Sequence, residues 1–324
     1  MTYPRVSVVV LCYNHERFVA ECLDSVRLQD YPNLELIVND DASKDNSAAI
    51  IEGWLVKNPN IPHRFLRNQV NKGLCRSLNT ALAQTTGKYY CGIAADDAWL
   101  SGKLRNQVAL MERLPEQVGV IYSDALRMDE DGNLQPPTFL ETTLRNCGFS
   151  QAPQGNIHLA LWEANFVAPM TTLIRRTCFD RVGLFDEDKF AEDWDMWLRI
   201  SRCYDFAYSP EVSAKYRKVQ NSICNGQLDR LLDDENHTCL KYLRTQNPDK
   251  QGRAAAAGKF YNLAICSYER QTLRHRKNLL HALRFRPTPG LLLRCVFALC
   301  GTHPQQFARV RRVLQRQRPD TNGA

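Results

Sequence analysis

Apolar runs typical of buried strands alternate with helix-like segments along the first 125 residues. Residues 6–11 form a continuous β-branched and apolar run, which is typical of a strand buried on both faces. Residues 16–28 follow with apolar side chains on one helical face. This alternation predicts an α/β fold with a mostly parallel, Rossmann-like sheet flanked by helices. It also predicts strands at 34–38, 65–66, 88–93 and 118–122, and helices at 43–56, 74–83 and 103–114.

Polar side chains follow four of these predicted strands directly. In open α/β sheets, ligands bind beyond the carboxyl ends of the strands. Polar residues at four strand ends are hard to attribute to folding alone, so we predict a ligand site at this edge of the sheet. The residues are Tyr13, Asp40 and Asp41, Asp96 and Asp97, and Ser123 and Asp124.

The adjacent carboxylates Asp96 and Asp97 repel each other unless a cation or hydrogen-bond donors compensate. Their hard oxygen atoms suit Mg²⁺ or Mn²⁺, which also bind substrate phosphates. The alternative for this pair is a solvated loop before a helix. Asp41 has the right chemistry to accept a hydrogen bond from a nucleobase or ribose, and Tyr13 to stack on a base. The alternative for Asp41 is a helix N-terminus, where the helix dipole favours Asp. The alternative for Tyr13 is a tyrosine of the core.

A second acidic segment interleaves Glu192 and Asp193 with Trp194. A carboxylate beside an indole is partly desolvated, which raises its affinity for protons and suits a general base. The alternative is the start of an amphipathic helix whose tryptophans lie in the core. Arg76 and Arg217 have the bidentate geometry that a diphosphate needs, although most arginines are simply solvated.

The composition is that of a folded globular protein, with 44% apolar and 24% charged residues among 324. The twelve cysteines include no closely spaced pair, which predicts free thiols and a reducing, cytoplasmic location. No signal peptide or membrane-spanning segment is predicted. Residues 136–165 look irregular, and residues from 227 onward look almost entirely helical.

The net charge of +7 belongs to the C-terminal part of the chain. Residues 270–318 contain twelve Lys or Arg and no acidic residue, so the rest of the chain is net acidic. The apolar run 291–299 is too short and too charged to span a bilayer. It predicts either a helix lying on an anionic membrane surface or a terminal helix that packs on the protein. No interleaved aromatic pattern supports nucleic-acid binding.

Several segments, in this order, resemble the family 2 glycosyltransferases across roughly residues 5–220. They are VSVVVLCYNHERFVAECLDSVRLQDYPNLELIVNDDASKDNS, NKGLCRSLNTAL, GKYYCGIAADDAWL, GLFDE, FAEDWDMWLR and YRKVQNS. The resemblance implies a GT-A fold in residues 1–222, with a nucleotide half at 1–125 and an acceptor half at 126–222. Residues 223–324 would then form a helical, basic C-terminal extension.

The resemblance also implies roles for individual residues. Tyr13 packs against the nucleobase of a nucleotide-sugar donor, Asp41 hydrogen-bonds to it, and Asp96 reaches the ribose. Asp97 binds Mn²⁺ or Mg²⁺ on the donor diphosphate, and Asp193 deprotonates the acceptor hydroxyl. Apart from the resemblance, the residue types make Arg76 a further candidate nucleotide contact, and Glu192, Trp194 and Arg217 candidate phosphate or acceptor contacts. Glu192 is the less favoured base.

The expected activity is transfer of a sugar, with inversion, from a UDP-sugar to a hydroxyl on a lipid-linked or cell-surface glycan. A processive synthase is disfavoured because membrane spans and a Gln-x-x-Arg-Trp signature are absent. Val219 stands where the family often has a metal- or phosphate-binding His, so Lys218 is an alternative neutralising group. Two rival interpretations are a nucleotidyltransferase, although no Gly-rich phosphate loop is present, and an inactive sugar-nucleotide-binding protein.

Overall fold

The computed structural model describes residues 3–219, 227–246, 248–300 and 304. It divides into two compact units, Met1–Asn225 and Gly226–Ala324. The boundary expected at 222/223 and the basic residues of the tail beyond 304 lie outside the described residues.

The first unit is built on a mixed but mostly parallel sheet of seven strands in the order β3-β2-β1-β4-β8-β6-β9. A smaller sheet has the order β5-β10-β7. The strands are β1 Val6–Cys12, β2 Leu34–Asp40, β3 His63–Arg67, β4 Tyr89–Ala94, β5 Ala98–Trp99, β6 Val118–Tyr122, β7 Ala125–Met128, β8 Leu173–Arg175, β9 Asp205–Tyr208 and β10 Ala214–Arg217.

Helices cover both faces of the large sheet, as the predicted crossovers require. They are α1 Val19–Arg27, α2 Ser47–Lys57, α3 Leu74–Leu82, α4 Lys103–Met111, α5 Phe139–Cys147, α6 His158–Glu163, α7 Arg176–Val182 and α8 Asp193–Ile200, with a 3₁₀ turn at Pro169–Thr171. The predicted α/β fold with a mostly parallel sheet is confirmed.

The central strand β1 is paired in parallel with β2 on one side and β4 on the other. Its residues Val6, Val8 and Val10 are fully buried in the main hydrophobic core. This explains the continuous apolar run, since a strand covered by helices on both faces has no solvent-facing positions to fill with polar residues. The pairing aligns the carboxyl ends of β1, β2 and β4, which Tyr13, Asp41 and the pair Asp96 and Asp97 follow in the chain.

Strand β8 pairs antiparallel with both β4 and β6 and was not predicted. Its three residues are too few to show a periodic pattern. Arg175 fixes it in place, because its buried guanidinium donates to the carbonyl oxygens of Val118 (Nε, 2.8 Å) and Met111 (Nη2, 2.9 Å). The expectation that residues 136–165 are irregular was partly wrong, since α5 and α6 lie there; Thr138 caps α5 by accepting from Glu141 N at 3.2 Å.

The second unit consists of helices α9 Leu228–Thr245, α10 Lys250–Glu269, α11 His275–Phe285 and α12 Pro289–Leu299. Within the described ranges, no helix combines the length and apolar composition needed to cross a lipid bilayer. The four helices agree with the prediction that residues from 227 onward are almost entirely helical, within the described residues up to 300.

Two glycines allow a test of how closely β1 is packed. A Cβ at Gly87 would lie 2.7 Å from the main-chain nitrogen and hydroxyl of Ser7, whereas a Cβ at Gly53, inside α2, would meet nothing within 4 Å. We expect Gly87→Ala to lower the free energy of unfolding by about 1–3 kcal/mol through overpacking. Gly53→Ala should instead raise it by about 0.5–1 kcal/mol, because alanine favours a helix. Urea denaturation measures both, and equal effects would contradict this description.

Candidate active site

The carboxyl end of β4 is not fully covered, although β4 is an interior strand of the large sheet. Although β4 lies between β1 and β8, Ala94 near its end is exposed and Gly92 is only half-buried. Both residues are small, and a Cβ at Gly92 would come within 2.9 Å of the Tyr90 hydroxyl. An interior strand with an uncovered end leaves room for a ligand above the sheet, where α/β folds bind their substrates.

Asp41, at the end of β2, organises the loop that leads into α3. Its Oδ1 accepts hydrogen bonds from Asn68 Nδ2 and Lys72 N, both at 2.8 Å, and its Oδ2 accepts from Gly73 N at 2.9 Å. The carboxylate is buried, and its three hydrogen bonds hold this loop at the end of β2. Tyr13, at the end of β1, is 39% exposed. Its ring is therefore accessible for stacking, while the base contact of Asp41 stays a prediction.

Asp96 and Asp97 lie directly beyond β4. Asp97 is buried, and its Oδ1 accepts a hydrogen bond from Arg217 N at 2.8 Å. Burial and, after it, the charge of Asp96 raise the pKa of Asp97 well above its usual range. Asp96 is half-buried, with His15 Nε2 at 3.8 Å from its Oδ2. Two crowded carboxylates of this kind are stabilised in their ionised form by a cation.

The donor set of this pair fits a hard divalent ion. Among the described residues, no group of three or more His, Cys, Asp or Glu side chains is arranged to hold a metal. Asp96 and Asp97 would supply one or two carboxylate ligands from the described part of the chain. Mg²⁺ is commonly bound in this way, with substrate phosphates and water supplying the remaining oxygen atoms.

Arg217 joins the acid pair to the neighbouring loops. It is 2% exposed, and its Nε donates to the carbonyl oxygen of Asp96 at 2.8 Å. Its Nη1 donates to the carbonyl of Asp129 at 3.2 Å, and its Nη2 forms an ion pair with Glu21. The guanidinium also lies over the Phe18 ring, 4.7 Å from the centroid. These partners leave no support for the predicted phosphate contact, and Arg217 is better described as an anchor for Asp96 and Asp97.

Asp193 is the first residue of α8 and is half-buried. Its Oδ2 accepts a hydrogen bond from Asn165 Nδ2 and its Oδ1 one from Trp194 N, both at 2.7 Å. The Trp194 indole lies in the core, where Nε1 donates to Leu161 O at 2.8 Å. The predicted acceptor contact of Trp194 is therefore not supported, and the alternative of a core tryptophan describes it better.

Glu192, although half-buried, is strongly affected by its surroundings. Desolvation, followed by the charge of Asp193, raises the pKa of Glu192 to about 8. Burial and, after it, the charge of Glu192 raise the pKa of Tyr90 on β4. Glu192 is therefore close enough to Tyr90 of β4 for its charge to act on that hydroxyl. The raised pKa of Glu192 favours its protonated form, which can donate a hydrogen bond.

Arg76, on α3, is exposed and lies 3.4 Å from Glu187 through its Nε. The segment that contains Glu187 is held against α3 by Asn79, which donates to Phe185 O at 2.9 Å and accepts from Phe185 N at 3.0 Å. Arg76 thus lies where two elements of the first unit meet, and its contact with the donor stays a prediction.

Sequence reasoning missed Asn165, Glu21 and Asn79. Each acts through a partner between 28 and 196 positions away in the chain. No local pattern could have indicated them. Lys218, suggested as a substitute for the family's histidine, is exposed, and its main-chain nitrogen donates to Met128 O at 2.9 Å.

The raised pKa of Glu192 gives stability a pH dependence of defined sign. Between pH 4.5 and about 8, the folded state binds this proton more tightly than the unfolded state, so the free energy of unfolding falls as the pH rises. Glu192→Gln removes the titration, so the variant should gain stability relative to the wild type across that interval. Urea denaturation at about pH 5 and about pH 8 tests this. Glu116→Gln, at an exposed position, is the control, and an unchanged pH slope in Glu192→Gln would contradict the expectation.

Comparison with known proteins gives a consistent family assignment. The model of glycosyl transferase family 2 matches residues 7–183. An uncharacterized glycosyltransferase of Rickettsia prowazekii is 26% identical over 233 residues, which is 72% of this chain and 70% of that protein. In a relative from Rickettsia bellii, the match spans only 30% of that protein. The Escherichia coli UDP-Glc:α-D-GlcNAc-diphosphoundecaprenol β-1,3-glucosyltransferase WfaP is 28% identical over 71% of this chain and 84% of its own length.

Solved structures agree on the fold. S. aureus TarS 1-349 in complex with UDP-GlcNAc has a TM-score of 0.65 and 16% identity, covering 87% of this chain and 82% of TarS. The mannosyltransferase PcManGT from Pyrobaculum calidifontis, in complex with GDP-Man and Mn²⁺, has a TM-score of 0.62 and 21% identity, covering 94% of this chain and 83% of that protein. This chain is therefore a member of glycosyl transferase family 2 with the GT-A fold.

Proposed function

We propose that this chain transfers a single sugar from a UDP-sugar to an acceptor hydroxyl with inversion at the anomeric carbon. The observation that carries the proposal is the placement of two acidic groups from distant parts of the chain. Asp96 and Asp97 follow the end of β4, and Glu192 is close enough to Tyr90 of the same strand for its charge to act on the Tyr90 hydroxyl. Inverting displacement needs two such groups, one near the leaving group and one near the incoming alcohol.

In the proposed transfer, some residues bind the donor and one residue removes the proton from the acceptor. Tyr13 stacks on the base, while Asp41, Asp96 and the exposed Arg76 contact the nucleotide. Asp97 holds Mn²⁺ or Mg²⁺, which when bound offsets the negative charge of the donor diphosphate. Asp193 accepts the proton of the acceptor hydroxyl as its oxygen bonds to the anomeric carbon and the nucleoside diphosphate departs. The remaining protein partner, Arg217, keeps the acid pair in place.

UDP is the preferred donor nucleotide for two reasons. The E. coli relative WfaP is named for UDP-Glc, and TarS is complexed with UDP-GlcNAc. PcManGT is complexed with GDP-Man, so GDP-sugars form the second arm of any test. The name of WfaP also specifies a diphosphoundecaprenol-linked acceptor, which supports a lipid-linked or cell-surface glycan as acceptor here and a peripheral location at the inner face of the cell membrane.

A panel of UDP- and GDP-sugars with Mn²⁺ or Mg²⁺ tests the proposal through thermal stabilisation and donor hydrolysis. Asp193→Asn should retain donor-induced stabilisation but lose about 10²–10⁴ in kcat, the usual contribution of a general base. Asp97→Asn should lose the metal-dependent part of the stabilisation. Asp188→Asn, in the exposed stretch before α8, is the matched control and should behave as wild type. Stabilisation by no donor, or unchanged transfer by Asp193→Asn, would refute the proposal.

We also propose that the second unit contacts an anionic membrane surface through α12. On α12, Leu292, Val296 and Leu299 are 54%, 48% and 60% exposed and recur at i, i+4 and i+7, which places them on one helical face. A neighbouring face of the helix is buried and packs through Leu291 and Cys295. Residues 270–300 contain seven Lys or Arg and no acid. An apolar stripe with basic surroundings fits a helix at the surface of an anionic bilayer.

Vesicle co-sedimentation tests this membrane contact. The wild type should bind vesicles that contain phosphatidylglycerol and not pure phosphatidylcholine vesicles. The triple variant Leu292→Ser, Val296→Ser, Leu299→Ser should bind at least about tenfold more weakly, because three buried apolar side chains are lost from the interface. The control carries serine at three exposed apolar positions of the first unit, Leu28, Val56 and Val70. Equal binding by the two triple variants would contradict the proposal.

A further inference from the structure

Asn165 lies outside α8 and donates a hydrogen bond to Asp193, with Nδ2 2.7 Å from Oδ2. Asn165 follows α6 and lies between Ala164 and Phe166, which are both buried. The amide orientation has a chemical reason. The Oδ1 of Asn165 is buried without a partner among the described residues, and turning it toward an ionised carboxylate would place two acceptors in contact. The NH₂ group therefore faces Asp193, which is the orientation that favours a carboxylate.

Tryptophans fix the segment that carries Asn165. Trp194 Nε1 donates to Leu161 O at 2.8 Å, and Trp197 Nε1 donates to Val167 O at 3.0 Å. Both indoles belong to α8, the helix that begins with Asp193, and their acceptors lie on either side of Asn165 in the chain. The relative position of Asn165 and Asp193 is thereby set by two further hydrogen bonds in the core.

The same segment is tied to the acid pair. Trp99 lies two residues beyond Asp97, and its Nε1 donates to Met170 O at 2.8 Å. Residues 161–170, which we call the Trp-bound segment, thus accept indole hydrogen bonds from β5 at one end and from α8 at the other. The segment links the main chain around Asp97 to the helix that carries Asp193 through buried, directional contacts.

From this arrangement we infer that Asn165 is a positioning residue that orients Asp193 toward the acceptor and favours its proton-accepting form. The inference rests on the proposed function, because it assigns to Asn165 a role in the action of Asp193. Hydrogen bonds that are donated to a carboxylate stabilise the charged form. Loss of this donor should therefore make Asp193 easier to protonate and move the acidic limb of the activity profile to higher pH.

Other titratable groups near α8 must be considered in that profile. Glu192 is adjacent to Asp193, and the charge of Asp193 is one cause of the raised pKa of Glu192. The profile should therefore be measured in the Glu192→Gln background as well. Asp195 is already paired with Arg199 through a 2.8 Å contact. The helices that pack against α8 carry His158 and Glu163 on α6, and Arg176, Cys178, Asp180 and Arg181 on α7. The segment that leads into α8 carries Asp186, Glu187, Asp188 and the buried Lys189.

The experiment compares kcat and kcat/KM against pH for the full chain and its Asn165 variants. Asn165→Ala should move the acidic limb up by about one pH unit and lower kcat about tenfold at neutral pH, with the donor KM unchanged. Asn165→Asp is isosteric, so it remains informative if the alanine variant does not fold. It places a second carboxylate beside Asp193 and should move the limb further in the same direction.

A matched variant separates positioning from packing. Asn236→Ala removes a buried asparagine of the second unit, whose Nδ2 donates to Leu232 O at 2.7 Å and to Ser267 Oγ at 2.8 Å, and should lower Tm without moving the acidic limb. An unmoved limb in both Asn165 variants would overturn the inference, and so would an equal shift in Asn236→Ala. The result for Asp193→Asn keeps the two hypotheses apart. If that variant abolishes transfer while the Asn165 variants retain the wild-type profile, only the role of Asn165 fails.

Discussion

Repulsion between two adjacent carboxylates is the constraint around which the rest of the site is arranged. Asp96 and Asp97 are placed at the end of an interior strand, where Asp97 is buried and its pKa is raised. The protein meets this cost with main-chain donors and a buried arginine. Arg217 N donates to Asp97, while the guanidinium binds the Asp96 carbonyl and the neighbouring hairpin. A cation on the donor diphosphate would supply the remaining stabilisation.

The architecture of residues 1–125 follows from local sequence. A strand that is covered on both faces is mostly apolar, which makes residues 6–11 recognisable, and the aligned ends of parallel strands make Asp41, Asp96 and Asp97 candidates from the sequence alone. Residues 126–219 are less predictable. Strand β8 has three residues and is held by Arg175, whose partners lie some sixty positions away. Such elements are defined by tertiary contacts, and a periodicity cannot reveal them.

The side chains of the site also differ in whether the sequence alone could predict their roles. Tyr13 is exposed at the end of β1, where a strand-end argument places it. Trp194 and Arg217 were candidates for ligand contacts because of their chemical type, yet the structure uses the first in the core and the second as an anchor. Chemical type alone does not distinguish a donor that faces solvent from one that faces a buried carbonyl. Asn165 illustrates the converse case, since an isolated asparagine carries no signal until its partner is known.

The proton held by Glu192 has a consequence for turnover. Desolvation and the charge of Asp193 raise the pKa of Glu192, which favours its uncharged form near neutral pH. In the proposed transfer, the acceptor then meets a single negative charge at the Glu192–Asp193 step, and Asp193 loses that charge as it takes the hydroxyl proton. The elongated glycan dissociates from a step without negative charge. The next cycle begins when one proton returns to solvent, and either of the two adjacent carboxyl groups can release it.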